Sequence, residues 1–221
     1  WLNNGSETGG MKAMETKAKK KISRDNVLIF LLKNRALLLV LIFFILLSVA
    51  TDTFLTSSNM VSLARQIAAN GIIGVGYTFL LASDSVDLSA GYMMCMIGII
   101  SGLLSQTGMP FICILILCAV IAVICSSFNA VIEIKFNLHP FMVTLAMQQV
   151  FRGVLMRLSN GSPISNLNEG IIYMGQGYIV PIPFSVLLML VFSVIGHLIF
   201  SRTQLGRNVI AVGGNPEAAR I

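Results

Sequence analysis

Two carboxylates, Asp84 and Asp87, stand among serines in the run Ser83-Asp84-Ser85-Val86-Asp87-Leu88-Ser89, just ahead of an apolar stretch. An Asp or Ser oxygen at the start of a helix satisfies free amides and complements the helix dipole, so Asp87 is expected to cap the helix that follows. A second set of polar groups is uncharged. Gln66 and Asn70 are spaced i and i+4, as are Thr144 and Gln148, so each pair shares one helix face; Ser89, Ser101 and Asn129 add to the set. Polar side chains inside apolar runs face the protein interior or an aqueous path. There they either hydrogen-bond a neutral polar solute such as a sugar or satisfy one another across helices. Gln66, Asn70, Asp87, Ser89, Thr144 and Gln148 are therefore candidates for lining a solute path. No Asp, Glu, Lys or Arg sits mid-run, whereas a proton-coupled carrier would be expected to place carboxylates or histidines there.

Bond-making chemistry has no comparable support. The sequence holds no G-x-x-x-x-G-K-[ST], no G-x-S-x-G and no H-E-x-x-H, so an ATP-binding P-loop, a nucleophile elbow and a zinc protease site are not expected. Gly71-Ile-Ile-Gly74-Val-Gly76 lies in an apolar run and does not follow a strand, which removes the dinucleotide-loop reading. His139 and His197 are far apart and lack acidic neighbours, which favours structural roles at span ends. Cys95, Cys113, Cys118 and Cys125 show no C-x-x-C pairing and are expected to be buried as small apolar residues. The cluster Met93, Met94 and Met96 is expected to fill packing gaps. No cofactor and no metal is expected in this chain.

The elements that position these residues follow from composition. Apolar residues make up 56% and charged residues 11% of the 221, with a mean hydropathy of +0.85, against roughly 45–50% and ~25% in soluble domains. Such a chain belongs in a lipid bilayer. A spanning helix needs about 20 mostly apolar residues, and a central charge costs on the order of 2.5–3.5 kcal/mol, so uncharged runs mark the spans. Six are predicted, at 36–55, 66–82, 89–104, 110–132, 138–156 and 183–200. Polar–apolar alternation is nowhere sustained long enough for barrel strands. The expected fold is an all-α membrane protein, a polytopic helix bundle.

Basic residues set the expected orientation, because cytoplasmic flanks retain Lys and Arg. Eight of the fifteen precede the first span, among them Lys17, Lys19, Lys20 and Lys21. With the N-terminus inside, Lys135, Arg202, Arg207 and Arg220 also fall inside, against Arg65, Arg152 and Arg157 on or near the outer side. Concentration of charge beside a span, without interleaved aromatics, speaks for topology and against nucleic acid. The organisation is then 1–35, a basic cytoplasmic segment; 36–200, the spans; and 201–221, a cytoplasmic tail. Ser48-Val49-Ala50 resembles a signal cleavage site, but the long basic region and five later spans favour an uncleaved anchor. Met11 or Met14 would make a natural start, and residues 1–10 are given no role.

Small residues supply packing surfaces. Gly98 and Gly102 form G-x-x-x-G, and Cys118, Ala122, Ser126 and Ala130 recur every four residues, which lets helices approach closely. In the tail, Gly213 and Gly214 are expected to make a sharp turn, Asn215 to cap, Pro216 to take the first helical position and Glu217 to favour the helix start.

Three segments, NGIIGVGYTFLLASDSVDLSAG (70–91), HPFMVTLAMQQVFRGVLMRLSNGSP (139–163) and LGRNVIAVGGNPEAAR (205–220), resemble the permease subunit of simple-sugar ABC importers of the ribose, xylose and galactoside type. The resemblance implies that Gly213, Gly214, Asn215, Pro216, Glu217, Ala218, Ala219 and Arg220 form a coupling loop whose short helix docks on an ATP-binding subunit. Asp87-Leu88-Ser89 matches a recurrent family element, although the two glycines usual before it are replaced by Ser83-Asp84-Ser85.

The resemblance further implies a bacterial inner-membrane protein that forms a dimeric pore with a second permease subunit, identical or different, and receives its sugar from an extracytoplasmic sugar-binding protein. The segment 157–181 is either a surface for that protein or a flexible loop, and Asn160-Gly161-Ser162 is not expected to be glycosylated. It also implies further spans after residue 221, so that 36–200 would be the N-terminal part of one bundle. The chain itself is expected to catalyse no reaction, ATP being hydrolysed on the partner. Two alternatives stand beside this: a secondary carrier for a small polar solute, and an ABC permease for amino acids or nucleosides.

Overall fold

The computed structural model describes residues 34–179, 181–215, 217 and 219. All of its long elements are helices, as apolar segments in hydrocarbon require, since each backbone amide must then be satisfied within its own segment. In chain order they are α1 (Arg35–Ala50), α2 (Ser57–Ala82), α3 (Ala90–Gln106), α4 (Phe111–Phe136), α5 (Pro140–Ser159), α6 (Glu169–Gln176), α7 (Phe184–Arg202) and α8 (Gln204–Gly214). Between α6 and α7 two short antiparallel strands, β1 (Tyr178–Ile179) and β2 (Ile182–Pro183), pair Tyr178 with Pro183 and Ile179 with Ile182.

The six expected spans correspond to α1, α2, α3, α4, α5 and α7. The largest displacement is at α2, which starts at Ser57 and not at 66. Arg65 explains it: counting uncharged runs stops at a charge, whereas the guanidinium here leaves the helix to donate to the Gln176 carbonyl at 2.6 Å.

The chain divides into two compact units, at Met60 and Val61. In the first, α1 buries none of its residues, and Phe44 and Phe54 meet edge to face at 5.3 Å. In the second, α3 packs against both α4 and α5, while α6 and α8 each pack on α7. The core is Met96 of α3 with Val143, Met147 and Phe151 of α5; Tyr92, Met93, Ile97, Cys125 and Leu155 close around it. On α5 these residues recur at the i, i+4, i+8 spacing of one helix face.

The apolar surface points outward. The most apolar 18-residue windows of α4 and α7 reach mean hydropathies of 3.0 and 2.3, yet only 6% of each is buried. The core helix of a soluble protein would be mostly covered, so these faces are built for an apolar surrounding, and the protein is an all-α membrane protein. Outward faces also correct the expectation for the cysteines. Cys95 and Cys113 are exposed and Cys118 is half-buried, and Cys125, although it packs against the core, is half-buried too. Met96 and Met93 pack as expected, whereas Met94 is 47% exposed.

Helix ends show how the sequence stops each element. After α2, Asp84 takes a left-handed φ of 58°, its amide donates to Leu81 and that of Ser85 to Leu80, which is a Schellman closure. A left-handed C′ residue is usually glycine. The turn forms with Asp84 there, since a short polar side chain tolerates this conformation better than most. Asn137 closes α4 in the same way, with φ 48° and the Leu138 amide on Glu133. His139 begins α5: its Nδ1 accepts from the Phe141 amide at 3.3 Å, and Pro140 occupies the first turn. That is a structural role for a histidine at a span end.

Candidate functional site

The run 83–89 holds the most connected set of polar side chains among the described residues. Asp87 Oδ1 accepts from the Ser89 amide at 2.8 Å and from the Ser89 hydroxyl at 2.6 Å. Ser89 Oγ in turn accepts from Asn129 Nδ2 of α4 at 3.0 Å, and the Tyr77 hydroxyl of α2 donates to the Asp87 carbonyl. Ser89 is fully buried and Asn129 is 4% exposed. Buried polar groups are costly unless paired, and hydrogen bonds between membrane helices contribute on the order of 0.6–2 kcal/mol each. This set therefore ties α2, the turn, the start of α3 and the end of α4 together.

Asp87 acts as a capping carboxylate should. The first residue of α3 is Ala90, but Ser89 before it already has helical φ and ψ, and Asp87 Oδ1 takes the Ser89 amide two residues on. The same carboxylate also fixes the hydroxyl that meets Asn129. Asn129 Oδ1 is buried with no hydrogen-bond partner among the described residues.

The other candidates separate. Thr144 is buried beside the core on α5, and its hydroxyl donates back to the Pro140 carbonyl at 2.9 Å. Gln148 lies half-buried one turn further on. Gln66 and Asn70 are both exposed on α2, with Ala68 between them fully buried. The structure thus joins Asp87 and Ser89, keeps Thr144 and Gln148 on one face, and leaves Gln66 and Asn70 on another surface.

The tail differs from the expected glycine turn. Gly213 and Gly214 are the last residues of α8, which Thr203 caps by accepting from the Gly206 amide at 3.4 Å. Asn215 follows with an extended backbone; its Oδ1 accepts from the Glu217 amide at 3.0 Å, and the Ala219 amide donates to the Asn215 carbonyl at 3.1 Å. The helix runs through the glycines because neither needs a left-handed φ. Pro216, Ala218 and Arg220 lie outside the described residues. Alongside, Leu205, Ile210 and Val212 of α8 are about half exposed.

At the opposite end of the helices, the segment after α5 is anchored by side chains bonding to backbone. Ser105 Oγ accepts from the Asn168 amide, Gln106 donates to the Ser165 carbonyl at 2.9 Å, and Asn168 Oδ1 caps α6 through the Gly170 amide at 2.9 Å. Arg65 completes the anchoring, its guanidinium 4.9 Å over the Tyr178 ring. Asn129 carried a sequence signal, a polar residue deep in an apolar run. Tyr77, Ser105 and Arg65 carried none, because only the fold sets them opposite their partners.

Between α2 and α7, Gly71 admits Met189 and Gly196 admits Val75, with Phe79 and Phe200 edge to face at 5.4 Å. Beside them opens a cavity of about 200 Å³ bordered by Thr78, Ser193 and His197.

The chain is thus an all-α membrane protein with a buried polar set at one end of the helices and an amphipathic helix beside it. Residues 59–221 match the family described as "Branched-chain amino acid transport system / permease component", and the chain belongs to that family. It is 32% identical over 179 residues to a ribose import permease of Bacillus subtilis, covering 80% of this chain and 56% of that protein. A ribose import permease of Haemophilus influenzae is 26% identical over 87% of this chain and 61% of its own length. The D-allose transport system permease of Escherichia coli is 27% identical over 78% and 53%. The chain thus spans a little over half the length of these relatives. No solved structure matches it.

Proposed function

We propose that the chain belongs to the permease subunit of an ATP-driven importer for a monosaccharide such as ribose. The observation that carries this is the similarity to ribose import permeases across four-fifths of the chain. The polar side chains buried among the described residues, Ser89, Ser105, Asn129 and Thr144, are uncharged, which suits a solute that presents hydroxyls and no charge. Within this reading the chain is multi-pass in a bacterial plasma membrane, with the N-terminus and the tail 201–221 in the cytoplasm. It works with an ATP-binding subunit, a second permease subunit and an extracytoplasmic sugar-binding protein. Bond chemistry belongs to the ATP-binding subunit, and this chain contributes the path and the coupling.

The mechanism is alternating access. ATP closes the ATP-binding subunits, their movement reaches α8 and the residues after it, and the helices expose the path to the other side. The family description favours a second reading in which the solute is a branched-chain amino acid. One experiment separates these. Proteoliposomes holding the full-length permease and its ATP-binding subunit, supplied with the binding protein and ATP, are expected to accumulate labelled ribose with ion gradients collapsed by ionophores. Accumulation of leucine in place of ribose would establish the second reading, and uptake that needs an ion gradient and no ATP would overturn both.

A further inference from the structure

Two adjacent glycines end α8, and their surroundings differ. A Cβ at Gly213 would overlap the Ala82 carbonyl oxygen and stand 3.1 Å from Ser83 Cα, whereas a Cβ at Gly214 would meet nothing within 4 Å. Neither has a left-handed φ, so the requirement at Gly213 is one of space and not of backbone freedom. Ala82 is the last residue of α2, and its contact begins the run that leads through the Asp84 turn to Asp87, Ser89 and Asn129. Ser83 also borders a groove with Leu205, Asn208, Val209 and Val212 of α8.

We propose that Gly213 is the joint that seats α8 on the end of α2, so that α8 and the run Ala82–Ser89 move as one body and carry displacement of the tail to the buried Asp87–Ser89–Asn129 set. This rests on the proposed importer function and identifies Gly213 as a positioning residue for coupling. The physical ground is stiffness. A backbone-to-backbone contact has no rotamers to absorb a push, and packed interiors transmit strain with little give. Beyond the turn, the hydroxyl of Ser89 is held from both sides, by a carboxylate and by an amide on another helix. Movement of the turn therefore shifts α4 relative to α3 or breaks a buried hydrogen bond.

The test uses the full-length permease with its ATP-binding subunit and binding protein in proteoliposomes, measuring ribose taken up per ATP hydrolysed. Gly213→Ala should lower that ratio at least about tenfold, a loss on the scale of ~1.4 kcal/mol of coupling, while Gly153→Ala, at a helix glycine of α5 where a Cβ also meets nothing within 4 Å, lowers it less than about twofold. A second measurement does not depend on how well Gly213→Ala folds. In the full-length permease freed of its native cysteines, Ser83→Cys with Val212→Cys is cross-linked across the groove. Retained transport after cross-linking is expected of one rigid body, and abolished transport would overturn the proposal. Equal effects of the two alanines would overturn it as well, with the importer reading intact, whereas failure of the unmodified complex to take up ribose on ATP would remove both.

Discussion

The two ends of the second unit are both held by hydrogen bonds, but of different kinds. At the Asp87 end, side chain meets side chain across elements, with Ser89 fully buried and Asn129 nearly so. At the opposite end, side chains of α2 and α3 and of Asn168, the N-cap of α6, bond to backbone amides and carbonyls of the segment 165–176, and two of these contacts are exposed. A side chain that grips backbone fixes a loop in place whatever the loop's sequence. A buried knot of side chains makes each member depend on the others, and its loss leaves partners stranded away from water. The first arrangement suits an anchored surface; the second suits a point where helix positions must change together.

Substitutions can break or sharpen this contrast. The largest effect is expected for Asp87→Ala, which strands the Ser89 hydroxyl and amide and should cost the full-length protein on the order of 2–3 kcal/mol in unfolding from detergent. A loss no larger than that of an exposed residue would abolish the distinction between the ends. Ser105→Ala should cost about 1 kcal/mol and raise hydrogen exchange at the Asn168 amide while leaving the Ser89 amide protected. Equal exchange at both sites would mean that the ends are one cooperative unit. Asn168→Ala removes the cap of α6 and should cost about 1 kcal/mol, read as faster proteolysis within 160–183. Smallest and opposite in sign is Asp84→Gly. Relief of the left-handed φ should raise stability by a few tenths to about 1 kcal/mol in the same unfolding measurement.

Much of the fold was legible because the bilayer makes composition decisive. Uncharged runs marked the six longest helices in order, of which α4 and α7 are long and apolar enough to cross a membrane, and the one large error, at the start of α2, came from treating Arg65 as a span end. Its guanidinium instead reaches a carbonyl on another element, which no local rule anticipates. The candidate site was half legible. Asp87 and Ser89 were evident as polar residues at a helix start, but their bond to Asn129 forty residues away depends on how α3 and α4 pack. The glycine pair at the tail was misjudged for a related reason. Gly-Gly favours a turn by local propensity, whereas here the helix continues and Gly213 is used for its lack of a side chain against Ala82.

The claim that binds these observations is that α8 and the end of α2 move as one. Spin labels on Ser83→Cys and Val212→Cys, in the full-length permease freed of its native cysteines and assembled with its ATP-binding subunit, report it through their dipolar coupling in continuous-wave EPR. The account predicts the same coupling without nucleotide and with ATP trapped by a hydrolysis-deficient ATP-binding subunit. A coupling that weakens when ATP is bound would mean that α8 slides over the turn, and would contradict it.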